Sequence, residues 1–231
     1  MCLYTSSLDR YVSNSIARTG AWEKPLVSRM VNALRAHSNS TLLDIGGNIG
    51  YYTLAAARAA FDVHVFEPVP RNAEMIRASV ERNALQSRVQ LHTCALSDAN
   101  GELSMGVHAN NQGGVAHIKS SKRAGVRIPA LRLDDVMMPE TRPVYIKIDI
   151  EGGECKAFEG MQRYLRDSTR IIGFNMEFRG NSHVTRKCCP AWTAPGGVFD
   201  ILYTRNGLCP NGVSYANVCA SSAWDLIWSK C

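Results

Sequence analysis

The stretch Thr41-Leu42-Leu43-Asp44-Ile45-Gly46-Gly47-Asn48-Ile49-Gly50-Tyr51-Tyr52 constrains this chain more than any other. A short apolar run ends in a carboxylate, turns through glycines and enters an alanine-rich segment. That order requires a buried strand, a tight turn and a helix whose N-terminus faces a ligand. The turn reads D-x-G-x-N-x-G and lacks the G-x-G-x-x-G spacing that lets a helix approach a pyrophosphate. It favours a ligand with a ribose and a charged tail over a dinucleotide.

Downstream, Asp62 to Phe66 reads as a second strand, with Glu67-Pro68 at its carboxyl end. A carboxylate there can accept hydrogen bonds from adjacent ribose hydroxyls. Each residue also has a plainer role. Asp44 can cap the turn, Glu67 can mark a helix entry, and Asn48 can serve a left-handed backbone position as well as a ligand. The pair Ser97-Asp98 follows a third strand, Val89 to Leu96, and Asp98 suits an Asx turn.

Amphipathic spacing predicts helices over 22–37, 51–60 and 71–85, with Pro70 in the first turn of the last. The region from Ser97 to Val136 alternates like an antiparallel insertion, with strands over 102–107 and 127–133. Val144 to Ile150 is the clearest strand in the chain. It ends in Asp149-Ile150-Glu151-Gly152-Gly153-Glu154, before a helix over 155–166 and a further strand over 171–178. A short helix over 196–206 and a hairpin from 213–218 and 223–228 close the pattern. Alternating strands and helices imply an α/β, doubly wound, mostly parallel sheet with an antiparallel closing hairpin. Residues 1–40 read as a helical lead-in and 41–231 as one globular domain.

Asp44, Glu67, Ser97-Asp98 and Asp149-Glu151 all fall at strand carboxyl ends, where open sheets bind ligands. Lys147 and Asp149 share a strand face, as an ion pair or beside a transferred group. Asp149 and Glu151 are the candidate general base or acceptor-orienting groups. Glu177 is a further candidate on the same edge, and His108, His117 and His183 are loop bases or plain surface histidines.

The formal charge of +6 comes without a dense basic block. From Lys119 to Arg132 five basic residues are spread over fourteen positions, which favours a solvated face over an anion-binding one. No apolar run reaches the roughly eighteen residues of a spanning helix, and the N-terminus has no secretory pattern. Eight cysteines are present, five of them in the last 44 residues. Their spacing matches no zinc site, so no metal is expected, and free thiols are favoured over disulfides. The expected location is the cytoplasm.

Leu42 to Leu54, Val65-Phe66-Glu67-Pro68-Val69-Pro70 and Ile146 to Glu154 together resemble the FkbM-type methyltransferases. The resemblance runs over about residues 41–178 and implies a Rossmann-like class I fold. It further implies S-adenosyl-L-methionine as cofactor and O-methylation of a hydroxyl on a small molecule or sugar. Carried over, Asp44, Gly46, Asn48 and Gly50 would line the methionine and ribose side, and Glu67 would bind the ribose. Ser97 and Asp98 would lie near the adenine. Gly47 stands where the family usually has alanine, and the chain beyond Phe178 departs from the pattern. The alternatives are a nucleic-acid methyltransferase, which would need a D/N-P-P-Y/F/W segment absent here, and a non-catalytic cofactor-binding module. The acceptor and the oligomeric state are not legible.

Overall fold

The computed structural model of the protein describes residues 1–107, 116–118, 126–168, 170–177, 188, 190–211 and 225–231. Its centre is a seven-stranded sheet. The strands are β1 (Thr41–Ile45), β2 (Asp62–Phe66), β3 (Val89–His92), β8 (Pro143–Ile148), β9 (Arg170–Glu177), β10 (Leu208–Pro210) and β11 (Asp225–Lys230). The order across the sheet is β10-β11-β9-β8-β1-β2-β3. The five strands β3, β2, β1, β8 and β9 run parallel, and β11 pairs antiparallel with both β9 and β10. The α/β, mostly parallel class I fold is therefore present, closed by an antiparallel pair.

Chain order explains where a ligand can sit. From β1 the chain builds outward to β2 and β3, then returns to lay β8 on the other side of β1. Between β1 and β8 the direction of winding reverses, which opens a crevice beyond the strand carboxyl ends. All five residues of β1 are buried, as a central parallel strand covered on both faces requires. On one face Leu42, Val63, Val65 and Tyr145 pack with Met30 and Leu34 of α2 (Lys24–Arg35), Tyr52 and Ala56 of α3 (Tyr51–Arg58) and Ile76 of α4 (Pro70–Arg82). On the other, Ile146, Ile148, Phe174 and Met176 meet Phe158, Trp192, Phe199 and Trp228. Burying each such side chain contributes about 2 kcal/mol.

Four boundaries differ from the sequence expectations. The run 89–96 is two strands: β3 stays in the main sheet, while β4 (Ala95–Leu96) pairs parallel with β7 (Val126–Leu131) in a second sheet. A continuous apolar run carries no mark of where it changes partner. That second sheet, β4-β7-β5-β6, contains the expected antiparallel insertion, with β5 (Gly101–Val107) and β6 (Ala116–Ile118). The extended reading ended too late, because Leu133–Val136 is a helical turn, α5. The single helix over 155–166 is two, α6 (Glu154–Glu159) and α7 (Gln162–Asp167), broken at Gly160. A Cβ on Gly160 would lie 1.9 Å from the Ser97 carbonyl oxygen, so the second sheet presses against the break. Finally, β8 ends at Ile148, and Glu151 (φ 54°) and Gly152 (φ 98°) turn the chain sharply toward α6.

The short helix before the close is α8 (Val198–Asp200), continued by a wider turn through Ile201–Arg205. Strand β11 supplies the second limb of the expected hairpin, whereas 213–218 lie outside the described residues. His108 and His183 do too, and of His117 only its strand is described. The cysteine expectation is corrected: Cys155 is joined to Cys188 and Cys209 to Cys231, while Cys2 and Cys94 are free. The partners are 33 and 22 residues apart, separations that no local pattern reveals. Among the described residues no helix is long and apolar enough to cross a membrane.

Candidate functional site

The glycine turn is stitched to the end of β2. The N–H groups of Gly46 and Gly47 both donate to the Phe66 carbonyl, at 2.9 and 3.1 Å. Gly46 has φ 84°, and a Cβ there would lie 1.9 Å from the Asp149 carbonyl oxygen. Only glycine allows this approach, which places the end of β8 directly against the turn. At Gly47 a Cβ would come within 2.3 Å of Val65 Cγ2, so the missing methyl answers a packing demand of this chain. Asn48 is left-handed (φ 52°), as is Gly50 (φ 88°), which caps α3.

Asp44 is fully buried. Its Oδ2 accepts the Thr53 hydroxyl at 2.6 Å. Its Oδ1 has no hydrogen bond and lies 3.7 Å from Lys147 Nζ. Lys147 is buried in turn and donates to the Gly46 carbonyl at 2.7 Å, with Asp149 Oδ2 3.5 Å away. Burial disfavours its charge, but Asp149 and Asp44 outweigh that and hold its pKa above the ordinary lysine value. One ammonium thus ties β1, the glycine turn and the β8 end together. Beneath it lies the Tyr52 ring, 5.4 Å from Nζ, whose hydroxyl donates to Glu23 Oε2 at 2.7 Å.

Glu67 is 4% exposed. Its Oε2 accepts the Asn48 N–H at 2.8 Å, and its Oε1 accepts the Val69 N–H at 2.9 Å and Asn72 Nδ2 at 3.3 Å. A carboxylate offers about four acceptor positions, so one remains, on Oε2. Desolvation drives the Glu67 pKa up to about 7, against the pull of those donors and of Lys147. The Asn48 side-chain oxygen, beside it, is buried without a hydrogen bond.

At the other lip, Asp149, Glu151 and Glu177 each offer a carboxylate oxygen, all within 4.8 Å of one another. Behind them Glu154 is buried and accepts the Gly152 N–H at 3.0 Å. Its pKa is raised, chiefly by burial and further by Asp149 and Glu177.

The structure thus gathers Asp44, Gly46, Asn48, Gly50, Glu67, Asp149 and Glu151 around one crevice. Ser97 and Asp98 are engaged elsewhere: Ser97 Oγ donates to Asp98 Oδ1 at 2.8 Å, and Asp98 pairs with Lys156 of α6 at 3.4 Å. Thr53, Tyr52, Glu23 and Asn72 escaped sequence reading. Asn72 left the one usable signal, an amide in the first turn of a helix directly after Glu67-Pro68.

The residues fit an adenosyl ligand with a charged tail. Asp44 Oδ1 and the Asn48 oxygen are buried acceptors without hydrogen bonds, and Glu67 keeps an open acceptor position on Oε2. The profile of the family described as "Methyltransferase FkbM domain" matches residues 44–188, well over half of the chain. Among solved structures, methyltransferase FkbM from Methylobacillus flagellatus KT has a TM-score of 0.50 and 15% identity. The match covers 82% of this chain but spans only 44% of that one. A methyltransferase from Geobacter sulfurreducens gives 0.48 at 13% identity, over 94% of this chain and 87% of that one. A SAM-dependent O-methyltransferase from Thermotoga maritima gives 0.46 at 9% identity, over 94% and 71%. At 15% identity the likeness to the first of these concerns the fold alone. No curated protein matches.

Proposed function

Because the chain belongs to the FkbM methyltransferase family, we propose that it binds S-adenosyl-L-methionine and methylates a hydroxyl of a small molecule or sugar. The observation that carries this reading is the set of under-used buried acceptors around the glycine turn, on Asp44, Asn48 and Glu67. In this reading Glu67 accepts from the ribose, Gly46 to Gly50 let the backbone approach it, and Asp44 with Lys147 fixes the turn. Bound there, the cofactor supplies an electrophilic methyl on a sulfonium.

What the chain itself must add is alignment and a proton acceptor. Asp149 is our candidate for that role: its side chain is 38% exposed, and Lys147 stands against it. Glu151 and Glu177 extend the acidic lip toward the acceptor, where carboxylates suit hydroxyl donors. Ser97 and Asp98 are proposed only to border the adenine, since their polar contacts run to Lys156. Residues 1–40 are read as a lead-in to one domain that continues to residue 231. A nucleic-acid acceptor has less support, for among the described residues the acceptor lip is acidic.

Calorimetric titration with S-adenosylhomocysteine and with NAD tests the reading. Binding of the first alone is expected, and Glu67→Ala should weaken it by about 1–3 kcal/mol through lost charge-assisted hydrogen bonds. Selective binding of NAD, or none of S-adenosylhomocysteine, would overturn it.

A further inference from the structure

The first thirteen residues do not trail away from the crevice; they are packed onto it. Asp9, fully buried, accepts the backbone N–H groups of Tyr11, Val12 and Ser13 and so starts α1 (Val12–Thr19). Ser13 Oγ accepts the Tyr4 N–H at 3.2 Å, which folds the arm back on itself. Tyr4 and Val12 then close over Ile49, which is fully buried in the glycine turn. At the arm's tip the Cys2 N–H donates to Ser79 Oγ of α4 at 2.7 Å.

One polar chain leaves this arm for the crevice. The Tyr4 hydroxyl donates to Asn72 Oδ1 at 2.8 Å, and Asn72 Nδ2 donates to Glu67 Oε1 at 3.3 Å. Both residues are buried, with the Arg71 guanidinium over the Tyr4 ring at 4.9 Å. An asparagine amide has two ends of opposite polarity, and which end faces a carboxylate depends on what holds the other. The Tyr4 hydroxyl, bonded to the oxygen, leaves the NH₂ to face Glu67. Without that hydroxyl nothing holds the oxygen end, and the amide that contacts Glu67 Oε1 is no longer fixed in place. With it, Oε1 is filled by Asn72 and Val69, and the remaining acceptor position falls on Oε2.

We propose that Tyr4 and Asn72 are positioning residues for ribose recognition: they lock the Glu67 carboxylate so that Oε2 presents its open acceptor position to a ribose hydroxyl. The proposal rests on the cofactor reading above and adds an N-terminal element to the donor site. Neither residue touches the cofactor; both act through Glu67. The arm therefore sets affinity for the sugar of the donor, separately from the glycine turn that accommodates its backbone approach.

The test compares S-adenosylhomocysteine with its 2′,3′-dideoxyribose analogue by calorimetry on the full chain, in wild type, Tyr4→Phe and Asn72→Ala. Wild type should prefer the hydroxylated ligand. Both variants should narrow that preference by about three- to tenfold, the worth of one hydrogen bond, with affinity for the dideoxy analogue unchanged. Equal weakening of both ligands would reveal a structural role alone and overturn the proposal, as would an unchanged preference. Tyr4→Phe keeps the ring against Ile49 and Arg71, so it should fold even if Asn72→Ala does not. A wild type that binds both ligands equally would overturn the ribose role of Glu67 along with the relay, and one that binds neither would overturn the cofactor reading itself.

Discussion

At the scale of single residues, Glu67 combines burial with charge. Its carboxyl titrates near 4.5 when free in solution and at about 7 in the fold, chiefly through desolvation. A raised carboxyl pKa means that the folded state holds its proton longer than the unfolded chain. This group's stabilisation is therefore complete below about pH 4.5 and is lost as pH rises through 7, by roughly 3 kcal/mol. Hydroxyl donors favour the ionised form, so a ribose ligand should reverse part of that loss. Affinity for S-adenosylhomocysteine is expected to increase from about pH 6 to about pH 8, with fractional proton release on binding. Calorimetry in buffers of different ionisation enthalpy would show it; a flat affinity with no proton exchange would rule it out. Glu67 was legible because it ends a strand next to a proline. Tyr4 was not, and Asn72 only as an amide in the first turn of the following helix, because their bond spans 68 residues.

At the scale of elements, the contact between the glycine turn and the end of β8 decides the shape of the site. Gly46→Ala would force a left-handed backbone on a side chain and drive its Cβ into the Asp149 carbonyl. A loss of about 2–4 kcal/mol is expected in urea unfolding, together with weakened cofactor binding, since the turn must withdraw from β8. A variant as stable as wild type would mean that the two strand ends move independently. The elements that could be read from sequence are those whose signal is local: β1, β2 and β8 by apolar runs, and α2, α3 and α4 by spacing. The division of 89–96 between two sheets and the break at Gly160 were hidden, because both are imposed by chain segments distant in sequence. Asp98 shows the same limit. Its turn was visible, but its pairing with Lys156 depends on how the second sheet meets α6.

At the scale of the whole molecule, two disulfides among the described residues fasten the part of the chain that follows β8. One joins α6, just behind the acidic lip, to Cys188, and the other closes β10 on the residue after β11. Replacing Cys209 with serine should destabilise the protein by about 2–4 kcal/mol. Reductant should lower the thermal midpoint of wild type, measured by scanning calorimetry, and an unchanged midpoint would contradict the pairing. Cys94 should stay unreactive toward alkylation, since burial raises its thiol pKa to about 11. Disulfides persist in oxidising surroundings, so these two weigh against the cytoplasmic location that the sequence favoured.

The position of β11 has a consequence for synthesis. Residues 225–230 lie inside the sheet, between β9 and β10, rather than at its margin. A nascent chain emerging from the ribosome can assemble the parallel strands in the order they are made. Until residues 225–230 are free, however, β9 presents an unpaired backbone, the kind of template on which chains stick to one another. For this protein the hazardous interval opens once β9 is made, and its length is set by how fast residues 178–230 are delivered.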